Sequence, residues 1–275
     1  MAETRFDPVE FDSRLATRLF GRRLITLTEV GSTNDAAWEA WSRGATSGTA
    51  VVAEAQLAGR GRGGRIWHMA PGRGLALSLL VEPHPNPGAG GVIALLAGLA
   101  TVRALERFGV DAGLKWPNDV VLGGRKLSGI LCEARSAAVV IGLGVNVSGS
   151  DRDFPPDLAG SATTLEGAGF EVRREALAAE FLNALEPLAE ALAERGARPG
   201  LDAWQERARF FGRPVEARTP AGVVRGIARR LDDDGALVVR LESGAESRVV
   251  AGDLEIPEAA AAATLRGAPP PRSRE

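Results

Sequence analysis

The decisive stretch of the chain is Gly59-Arg60-Gly61-Arg62-Gly63-Gly64-Arg65-Ile66-Trp67, in which four glycines and three arginines precede a tryptophan. It follows an apolar run, residues 49–56, that is typical of a strand. Glycine permits backbone conformations closed to other residues, and arginine offers forked, charged donors that suit carboxylates and phosphates. The stretch therefore predicts a loop that folds over an anionic ligand, with Trp67 as a flat apolar lid. A flexible basic loop or an RNA-binding segment is the alternative interpretation.

The composition is that of an ordinary globular protein. The chain has 275 residues, of which 45% are hydrophobic and 25% charged, and this is enough for a large core and two domains. Its net charge of −2 argues against a protein that holds nucleic acid through bulk charge.

The single cysteine, Cys132, lies in an apolar run and has no partner for an internal disulfide, so we expect a small buried residue. The two histidines, His68 and His84, form no metal-ligand pattern with it. A cysteine–histidine nucleophile pair is the alternative to a purely structural thiol.

The amino-terminal region predicts neither export nor a separate domain. Residues 1–12 are polar and acidic, unlike a signal peptide, and no apolar run reaches the ~20 residues of a membrane span. Residues 1–20 carry no clear core pattern and are too few for a helix-turn-helix domain. We therefore expect a soluble cytoplasmic protein with no membrane partner, in which a short extension precedes the main domain.

Short apolar runs alternate with helical patterns between residues 23 and 211. Ser32, with Asp35 three residues on, predicts the capping box of a helix that follows the first strand. The later strands follow one another so closely that we expect antiparallel or mixed pairing, because parallel strands need a long crossover. The predicted strands cover 23–28, 49–56, 74–82, 114–116, 120–122, 127–133 and 138–147, and the later helices cover 92–108, 174–195 and 201–211.

The pattern changes at Arg213-Pro214. Glycine turns separate the four apolar runs that follow, and a segment of about 45 residues of this kind predicts a small five-strand barrel. These runs cover 215–217, 223–231, 236–241 and 246–250. Residues 83–91 predict a proline- and glycine-rich loop, and the chain from Glu258 has too little apolar variety to pack. The predicted domains are an extension (1–20), a main domain (21–211), the barrel domain (212–257) and a disordered tail (258–275).

Two further stretches carry polar groups that turns alone do not explain. Ser32-Thr33-Asn34 places three short polar side chains at a strand-to-helix junction, either as helix caps or as donors and acceptors for a small polar ligand head. Lys115-Trp116-Pro117-Asn118-Asp119 contains an Asn-Asp turn, but a turn does not require the lysine and tryptophan before the proline. Both stretches are therefore candidates for a ligand site.

Two apolar strands carry unusual residues. Lys126 lies at the start of one strand, in the run Arg125-Lys126-Leu127-Ser128-Gly129-Ile130-Leu131. A lysine there either faces solvent or stabilises an anion as a point charge. In Gly142-Leu143-Gly144-Val145-Asn146-Val147, alternate glycines leave one strand face bare, which suits either tight packing or a planar ligand.

In this order, and together with Gln56, these stretches resemble the biotin–protein ligases (holocarboxylase synthetases) across residues 23–256. The resemblance implies an α+β fold, in which a mixed β-sheet backed by helices, related to class II aminoacyl-tRNA synthetases and lipoate ligases, precedes a small SH3-like β-barrel. It also implies an ATP-dependent ligase reaction in two steps. The biotin carboxylate attacks the α-phosphate of ATP to give biotinyl-5′-AMP and pyrophosphate, and a lysine of a biotin carboxyl carrier domain then displaces AMP.

The same resemblance implies roles for the matching residues. The catalytic residues would be Lys126, Arg60 and Arg62. The biotin-binding residues would be Ser32, Thr33, Asn34, Gln56, Arg60, Gly61, Arg62 and Lys126. The ATP- and adenylate-binding residues would be Arg62, Arg65, Trp67, Lys115, Asn118, Gly142, Gly144 and Asn146. Asp119 would help to hold Mg²⁺, and residues 59–66 would order over the ligand and seal the site.

By resemblance, the substrates are biotin, ATP with Mg²⁺, and the carrier domain of an acetyl-CoA or acyl-CoA carboxylase, and the enzyme is a monomer or a homodimer. Family members that repress transcription carry a helix-turn-helix domain for which this sequence lacks residues, so we expect an enzyme that binds no nucleic acid. The alternatives are a lipoate or octanoate ligase of the same superfamily, and a nucleic-acid-binding protein that uses the arginine–glycine loop and the small barrel.

Overall fold

The main body of the protein is a mixed sheet of seven strands. The computed structural model describes residues 5–82, 90–136 and 138–257. The strands of this sheet are β1 (Arg23–Val30), β2 (Thr49–Gln56), β3 (Gly74–Val81), β4 (Gly113–Lys115), β5 (Asp119–Leu122), β6 (Arg125–Arg135) and β7 (Ala138–Asn146). The helices are α1 (Pro8–Arg14), α2 (Thr33–Ser42), α3 (Gly90–Glu106), α4 (Arg174–Arg195) and α5 (Arg198–Arg207). Across the sheet the order is β1-β2-β3-β7-β6-β5-β4, so β7, with its alternate glycines, is the central strand.

Strand pairing follows the length of the connections. β1 and β2 run parallel, because α2 crosses between them. Every other neighbouring pair in this sheet is antiparallel, including the closely spaced β4, β5, β6 and β7. The expectation of antiparallel or mixed pairing is therefore confirmed.

Helices cover both faces of the sheet, because successive side chains of a strand point to opposite faces. In β2, Val51 packs with Ala37 and Trp38 of α2, whereas Val52 belongs to the large core on the other side. α3 and α4 pack against each other on that side. α3 buries apolar side chains around its circumference, as expected of a helix enclosed by its neighbours.

The two carboxyl-terminal helices differ in how closely the sequence predicted them. The predicted helix 174–195 matches α4 at both ends, and it continues through Pro187. The next helix is displaced toward the amino terminus, since α5 begins at Arg198. Pro199 lies in its first turn, where a missing N–H costs no helical hydrogen bond. The chain leaves the helix before Phe210 and Phe211, whose rings stack with centroids 4.6 Å apart.

Residues 5–20 contribute to the core, contrary to the expectation of a segment without a core pattern. Phe6, Phe11, Leu15 and Phe20 are buried in the main hydrophobic cluster, and α1 packs on α4. The side chain of Asp7 caps α1 by accepting from two backbone N–H groups of its first turn. An aspartate followed by a proline is a helix-start signal, and the sequence interpretation missed it.

A second, smaller sheet follows the helices. Its strands are β8 (Pro214–Thr219), β9 (Gly222–Leu231), β10 (Leu237–Arg240), β11 (Glu246–Val249) and β12 (Asp253–Glu255), all antiparallel in the order β11-β10-β9-β8-β12. Five strands were expected and five are found, but within the described residues β11 and β12 do not pair, so the sheet is open. Its apolar residues join the main core, and Trp116 Nε1 donates to the Gly235 carbonyl oxygen across the junction at 3.0 Å.

Two predicted segments lie largely or wholly outside the described residues. The loop at 83–91, which contains His84, is described only at positions 90 and 91, which begin α3, and the predicted disordered tail (258–275) is not described. Within the described ranges, no helix combines the length and the apolar character needed to cross a lipid bilayer.

Candidate functional site

A cavity of about 480 Å³ collects the side chains that the sequence singled out. Every residue predicted to be catalytic, ligand-binding or metal-binding lines it, although these residues come from separate stretches of the chain. They are Ser32, Thr33, Asn34, Gln56, Arg60, Gly61, Arg62, Arg65, Trp67, Lys115, Asn118, Asp119, Lys126, Gly142, Gly144 and Asn146. The fold therefore brings the predicted residues together, and their roles depend on what each side chain contacts.

The start of α2 forms a polar cluster with β2, β3 and β6. The backbone N–H and the hydroxyl of Thr33 both donate to Gln56 Oε1, at 2.8 and 3.1 Å. Asn34 Nδ2 donates to the Leu131 carbonyl oxygen at 3.3 Å, and Asn34 Oδ1 accepts from Ser78 Oγ at 2.7 Å. These bonds fix the orientation of both amide side chains and leave Gln56 Nε2 available as a donor.

The predicted capping box at Ser32 is wrong. Ser32 is the N-cap residue of α2, but its side chain makes no capping hydrogen bond. The carboxylate of Asp35, the proposed partner, binds Arg60 instead. The Ser32 side chain is buried and lines the cavity, so its hydroxyl is a candidate for contact with a ligand.

Residues 59–67, hereafter the flap, form a small hairpin. Arg60 and Ile66 pair as an antiparallel bridge, and the Gly61 N–H donates to the Arg65 carbonyl oxygen at 2.7 Å. The turn at the tip contains Gly63 with a φ of 68°, a conformation that residues with a Cβ rarely adopt. The glycine at this position therefore permits the tight turn of the flap.

The guanidinium of Arg60 is held by two carboxylates. Its Nη1 and Nη2 bind the two oxygens of Asp35 at 2.6 and 2.8 Å, and Nη2 also lies 3.2 Å from Glu133 Oε1. The hydrogen bond from Arg60 holds the pKa of Asp35 below its usual range, and the same bond raises the pKa of Arg60. Trp38 Nε1 donates to the other oxygen of Glu133 at 3.1 Å. We call Arg60, Asp35 and Glu133 the Arg60 cradle.

The other two arginines of the flap bind the smaller sheet. Arg62 Nη2 lies 3.0 Å from Asp253 Oδ1 and also donates to the Gly252 carbonyl oxygen, and Arg65 binds Asp253 Oδ2. Asp253 is the first residue of β12, so one carboxylate joins the tip of the flap to the carboxyl-terminal sheet. Because these side chains are partly exposed, each ion pair is worth only ~0–1 kcal/mol.

The bare strand face predicted from the alternate glycines exists, and protein side chains occupy it. Gly144 on β7 pairs with Gly129 on β6, and the indole of Trp67 lies over both. A Cβ at position 144 would lie within 2.7 Å of Cζ2 and Nε1 of that ring. A Cβ at Gly142 would overlap the side-chain oxygen of Asn34 in the same way. Both glycines therefore make room first for the protein's own side chains.

Lys126 reaches the cavity from the start of β6. Its Nζ lies 2.7 Å from Asp119 Oδ1 and 5.9 Å from the centroid of the Trp67 ring. A bulge in the pairing of β5 with β6 leaves Leu127 without a partner on β5, and Leu127 is buried in the core. The Lys126 N–H donates to the Ser161 carbonyl oxygen at 2.8 Å. The backbone of this lysine is thus fixed on both sides, while its ammonium group faces the cavity.

Two asparagines of the site hold backbone groups. Asn118 Nδ2 donates to the Ile130 carbonyl oxygen at 2.8 Å, and Asn146 Nδ2 donates to the Thr163 carbonyl oxygen at 3.1 Å. Among the described residues, no donor engages either amide oxygen, so both remain for a ligand donor. Lys115, half-buried on β4, completes this end of the cavity.

A cysteine–histidine nucleophile pair has no support among the residues that the structure describes, which include His68 but not His84. Cys132 is half-buried in β6 and packs against the main core, and burial raises the pKa of its thiol to about 12. The thiol is therefore protonated at neutral pH and is a poor nucleophile. His68 lines the cavity, whereas Cys132 does not.

Sequence reasoning missed four residues that organise the site. Asp35 and Glu133 hold Arg60, Asp253 holds the flap tip, and Ser78 contacts Asn34. Only Asp35 carried a local signal, its position in the first turn of a helix, and that signal predicted a cap. The others are partners across the fold, for which the sequence contains no local pattern.

Comparison with known proteins agrees with this geometry. Residues 27–146 match the model of the Biotin/lipoate A/B protein ligase family, and residues 210–256 match that of the Biotin protein ligase C terminal domain. The Biotin--[acetyl-CoA-carboxylase] ligase of Mycobacterium tuberculosis is 37% identical over 243 residues, covering 85% of this chain and 88% of that protein. The Bifunctional ligase/repressor BirA of Bacillus subtilis is 34% identical over 249 residues, covering 88% and 76%.

The solved structure of a biotin protein ligase from Aquifex aeolicus in complex with biotin and ATP superposes with a TM-score of 0.75. It is 28% identical to this chain, and the match covers 86% of this chain and 99% of that one. Similarity of this extent in sequence and in fold shows common descent. This chain therefore belongs to the family of biotin protein ligases.

Proposed function

We propose that this protein is an ATP-dependent biotin–protein ligase, which activates biotin as biotinyl-5′-AMP and transfers it to a lysine of a biotin carboxyl carrier domain. The observation that supports this most is the arrangement along β7. Asn34, from the polar cluster, lies over Gly142, and Trp67 lies over Gly144, with Lys126 nearby. Two residues along a strand span about 7 Å. That spacing suits a ligand with a neutral polar head, a short apolar chain and a carboxylate.

The first step joins two anions, a carboxylate and a triphosphate, which repel each other. Fixed cations in a site shielded from water compensate this charge best. Lys126 has this role in our proposal, because its compact ammonium group enters the cavity from a fixed backbone. Arg62 and Arg65 supply further positive charge by exchanging Asp253 for the ligand's phosphate. A biotin carboxylate oxygen then attacks the α-phosphorus, and the bond to pyrophosphate breaks.

The polar cluster would bind the ureido ring of biotin, which offers one acceptor oxygen and two N–H donors. The Ser32 hydroxyl makes no capping bond and lines the cavity. Gln56 retains Nε2 as a donor because Thr33 engages its Oε1. Thr33 and Asn34 act mainly by fixing this arrangement, because their own polar atoms already have protein partners.

The adenylate would bind at the end formed by Trp67, Lys115, Asn118 and Asn146. The Nε1 of Trp67 is buried and has no hydrogen-bond partner among the described residues, which is costly unless an acceptor arrives. The free amide oxygens of Asn118 and Asn146 suit the amino group of a base. Gly144 contributes by letting the Trp67 indole lie close to the sheet.

Mg²⁺ would accompany ATP, and the cavity offers a carboxylate for it. Mg²⁺ commonly takes one or two protein carboxylates and completes its shell with water and substrate phosphates. Asp119, half-buried in the cavity beside Lys126, fits that arrangement. Bound there, the ion would offset phosphate charge. The described residues contain no group of three His, Cys, Asp or Glu side chains suited to a metal, so phosphate and water would provide the other ligands.

The second step brings a protein to the cavity. The acceptor in our proposal is the carrier domain of an acetyl-CoA or acyl-CoA carboxylase, as the name of the M. tuberculosis relative suggests. The lysine amine attacks the carbonyl carbon of the mixed anhydride, the bond to AMP oxygen breaks, and the amine proton passes to solvent. We also propose that residues 212–257 form the SH3-like domain, that residues 21–211 form the catalytic domain, and that the enzyme acts in the cytoplasm as a monomer or homodimer.

A labelling assay tests the proposed function. The protein is incubated with biotin, ATP, Mg²⁺ and a purified carrier domain, and the product is probed with streptavidin. A carrier domain whose target lysine is replaced by arginine is the matched control. Label on the native carrier alone supports the proposal, and no label under conditions in which another biotin ligase labels the carrier refutes it. Excess lipoate is added in parallel, and incorporation of lipoate in place of biotin would favour the lipoate ligase alternative.

A further inference from the structure

The Arg60 cradle joins three elements that the sequence keeps far apart. Asp35 is in the first turn of α2, Glu133 is in β6, and Arg60 is the second residue of the flap. Trp38 of α2 also donates to Glu133, so the helix and the strand hold the same carboxylate. We call Gly59 and Arg60, where the flap leaves β2, the flap root. The flap root is therefore attached to α2, the helix whose first turn carries the polar cluster of the site.

A second set of contacts binds the flap root to the same helix start. Thr33 donates twice to Gln56, which precedes the flap, and the Ala58 N–H donates to the Gly31 carbonyl oxygen at 2.8 Å. The Trp67 N–H closes the flap by donating to the carbonyl oxygen of Gly59 at 2.9 Å. A change in the position of α2 would therefore be transmitted to the root of the flap.

The charge on Arg60 is already compensated within the protein. Two carboxylates, Asp35 and Glu133, face one guanidinium, and Arg135, which lies over the Trp38 ring at 4.6 Å, offsets part of the remaining negative charge. An incoming phosphate or carboxylate would have to displace a bidentate carboxylate and would meet the charge of the second one. Arg60, with two carboxylate partners, is therefore worse placed to attract a reacting anion than Lys126, whose ammonium group faces the cavity with one, Asp119.

From this geometry we infer that Arg60 is a positioning residue, and that Asp35 and Glu133 hold the flap root so that the flap retains biotinyl-5′-AMP until the acceptor lysine arrives. The inference rests on the proposed ligase function, because it concerns that intermediate. It changes the role that the family resemblance implied for Arg60, from direct contact with the reacting groups to support of the flap. Asp35 and Glu133 become residues that determine how long the intermediate stays bound.

The expected effect is on release of the intermediate and not on stability. The side chains of Arg60, Asp35 and Glu133 are 37%, 51% and 26% exposed, so solvent screens their attraction and the fold depends little on it. Loss of the cradle leaves the flap root held only by its contacts with the start of α2, and a less restrained flap opens more often. We expect release of biotinyl-5′-AMP to accelerate about five- to tenfold, with the rate of its formation at saturating biotin and ATP within about twofold of the parent protein.

Four variants test the inference. The double variant Asp35→Asn/Glu133→Gln removes the cradle charges, Arg60→Gln removes its centre, and Asp35→Glu preserves the charge. Glu39→Gln is the matched control, because Glu39 forms an exposed ion pair with Arg43 on the same helix at 2.6 Å. For each variant, single-turnover formation of radiolabelled biotinyl-5′-AMP, its release into solution, the KM for biotin and the melting temperature are measured.

The inference predicts faster release and a higher KM for biotin in the double variant and in Arg60→Gln. Asp35→Glu should keep both values near those of the parent protein, and Glu39→Gln should leave both unchanged. Adding Arg60→Gln to the double variant should have no further effect, since both changes disrupt one contact. A loss of about 10²-fold in formation by Arg60→Gln at saturating substrates would overturn the positioning role, as would parental release by the double variant.

Hydrogen exchange separates this inference from the proposed function. Amides of residues 59–67 should exchange faster in the double variant than in Glu39→Gln, whatever ligand the cavity binds. If the parent protein forms no biotinyl-5′-AMP, the proposed function fails, and this measurement still tests whether the cradle holds the flap root. Equal exchange in the two variants would refute the cradle's role in either case.

Discussion

The two glycines beneath Trp67 allow a matched test of how closely the flap must approach the sheet. Gly129 and Gly144 face each other on β6 and β7, but their surroundings differ. A Cβ at Gly129 would lie 3.4 Å from Cζ3 of the ring and 3.3 Å from the flexible end of Lys126. A Cβ at Gly144 would lie within 2.7 Å of Cζ2 and Nε1. Neither glycine has a positive φ, so alanine strains neither backbone.

The magnitude follows from these distances. Ordinary contact begins at 3.4 Å, so Gly144→Ala must displace the indole, whereas Gly129→Ala requires almost no movement. The displacement is about 1 Å, and an error of that size in a site costs on the order of 10²-fold in rate. Overpacking also costs about 1–3 kcal/mol of stability. For a chain of this length, each kcal/mol lowers Tm by roughly 2–4 °C.

Biotin-dependent exchange of pyrophosphate into ATP and thermal melting measure the two effects. We expect Gly144→Ala to lose about 10²-fold in exchange rate and Gly129→Ala less than about fivefold. Adding Trp67→Ala to Gly144→Ala should restore Tm, because it removes the clash, but should not restore exchange. An exchange rate for Gly144→Ala close to that of the parent protein, or equal losses in both alanine variants, would refute the reasoning.

Three further predictions concern single side chains. Lys126→Ala should slow pyrophosphate exchange by about 10²-fold or more with little change in Tm, because it removes charge and not packing. Asp253→Asn frees Arg62 and Arg65, so trypsin should cleave the flap several-fold faster, and an unchanged rate contradicts the contact. Burial raises the pKa of Cys132 to about 12, so native protein at about pH 8 should resist thiol reagents that react after unfolding. Rapid reaction of the native thiol would contradict that burial.

The sequence predicted elements best where a local pattern is sufficient. β2 (Thr49–Gln56) and α4 (Arg174–Arg195) match their predicted bounds, because apolar periodicity and flanking turn residues define both. α1 was missed, although Asp7 and a proline mark its start, because only one buried apolar residue, Phe11, lies within it. The other buried side chains of this region, Phe6, Leu15 and Phe20, lie outside the helix, so the sequence shows no helical periodicity there. α5 begins three residues and ends four residues before its predicted bounds, because the chain leaves the helix before Phe210 and Phe211 and turns toward the smaller sheet.

For the site, the sequence likewise predicted which residues take part but not how their charges are compensated. Lys126, Trp67 and the glycines of β7 were found because their residue types are unusual at those positions, and the fold places all of them in one cavity. Their electrostatic state was beyond the sequence. A guanidinium is always charged, but whether a carboxylate already neutralises it depends on partners such as Glu133 and Asp253, which are distant along the chain.

The sequence by itself determined which chemistry this protein can carry. The order of residues along the chain sets where glycines let a side chain or ligand approach the backbone, and where cations and amides occur. Tertiary structure alone decided how those groups are used. It committed Arg60 to two carboxylates, left Lys126 facing the cavity beside Asp119, and placed Trp67 on the glycine pair. The physical reason is range: backbone conformation depends on near neighbours, whereas charge compensation and packing act over a few ångströms between residues that only folding brings together.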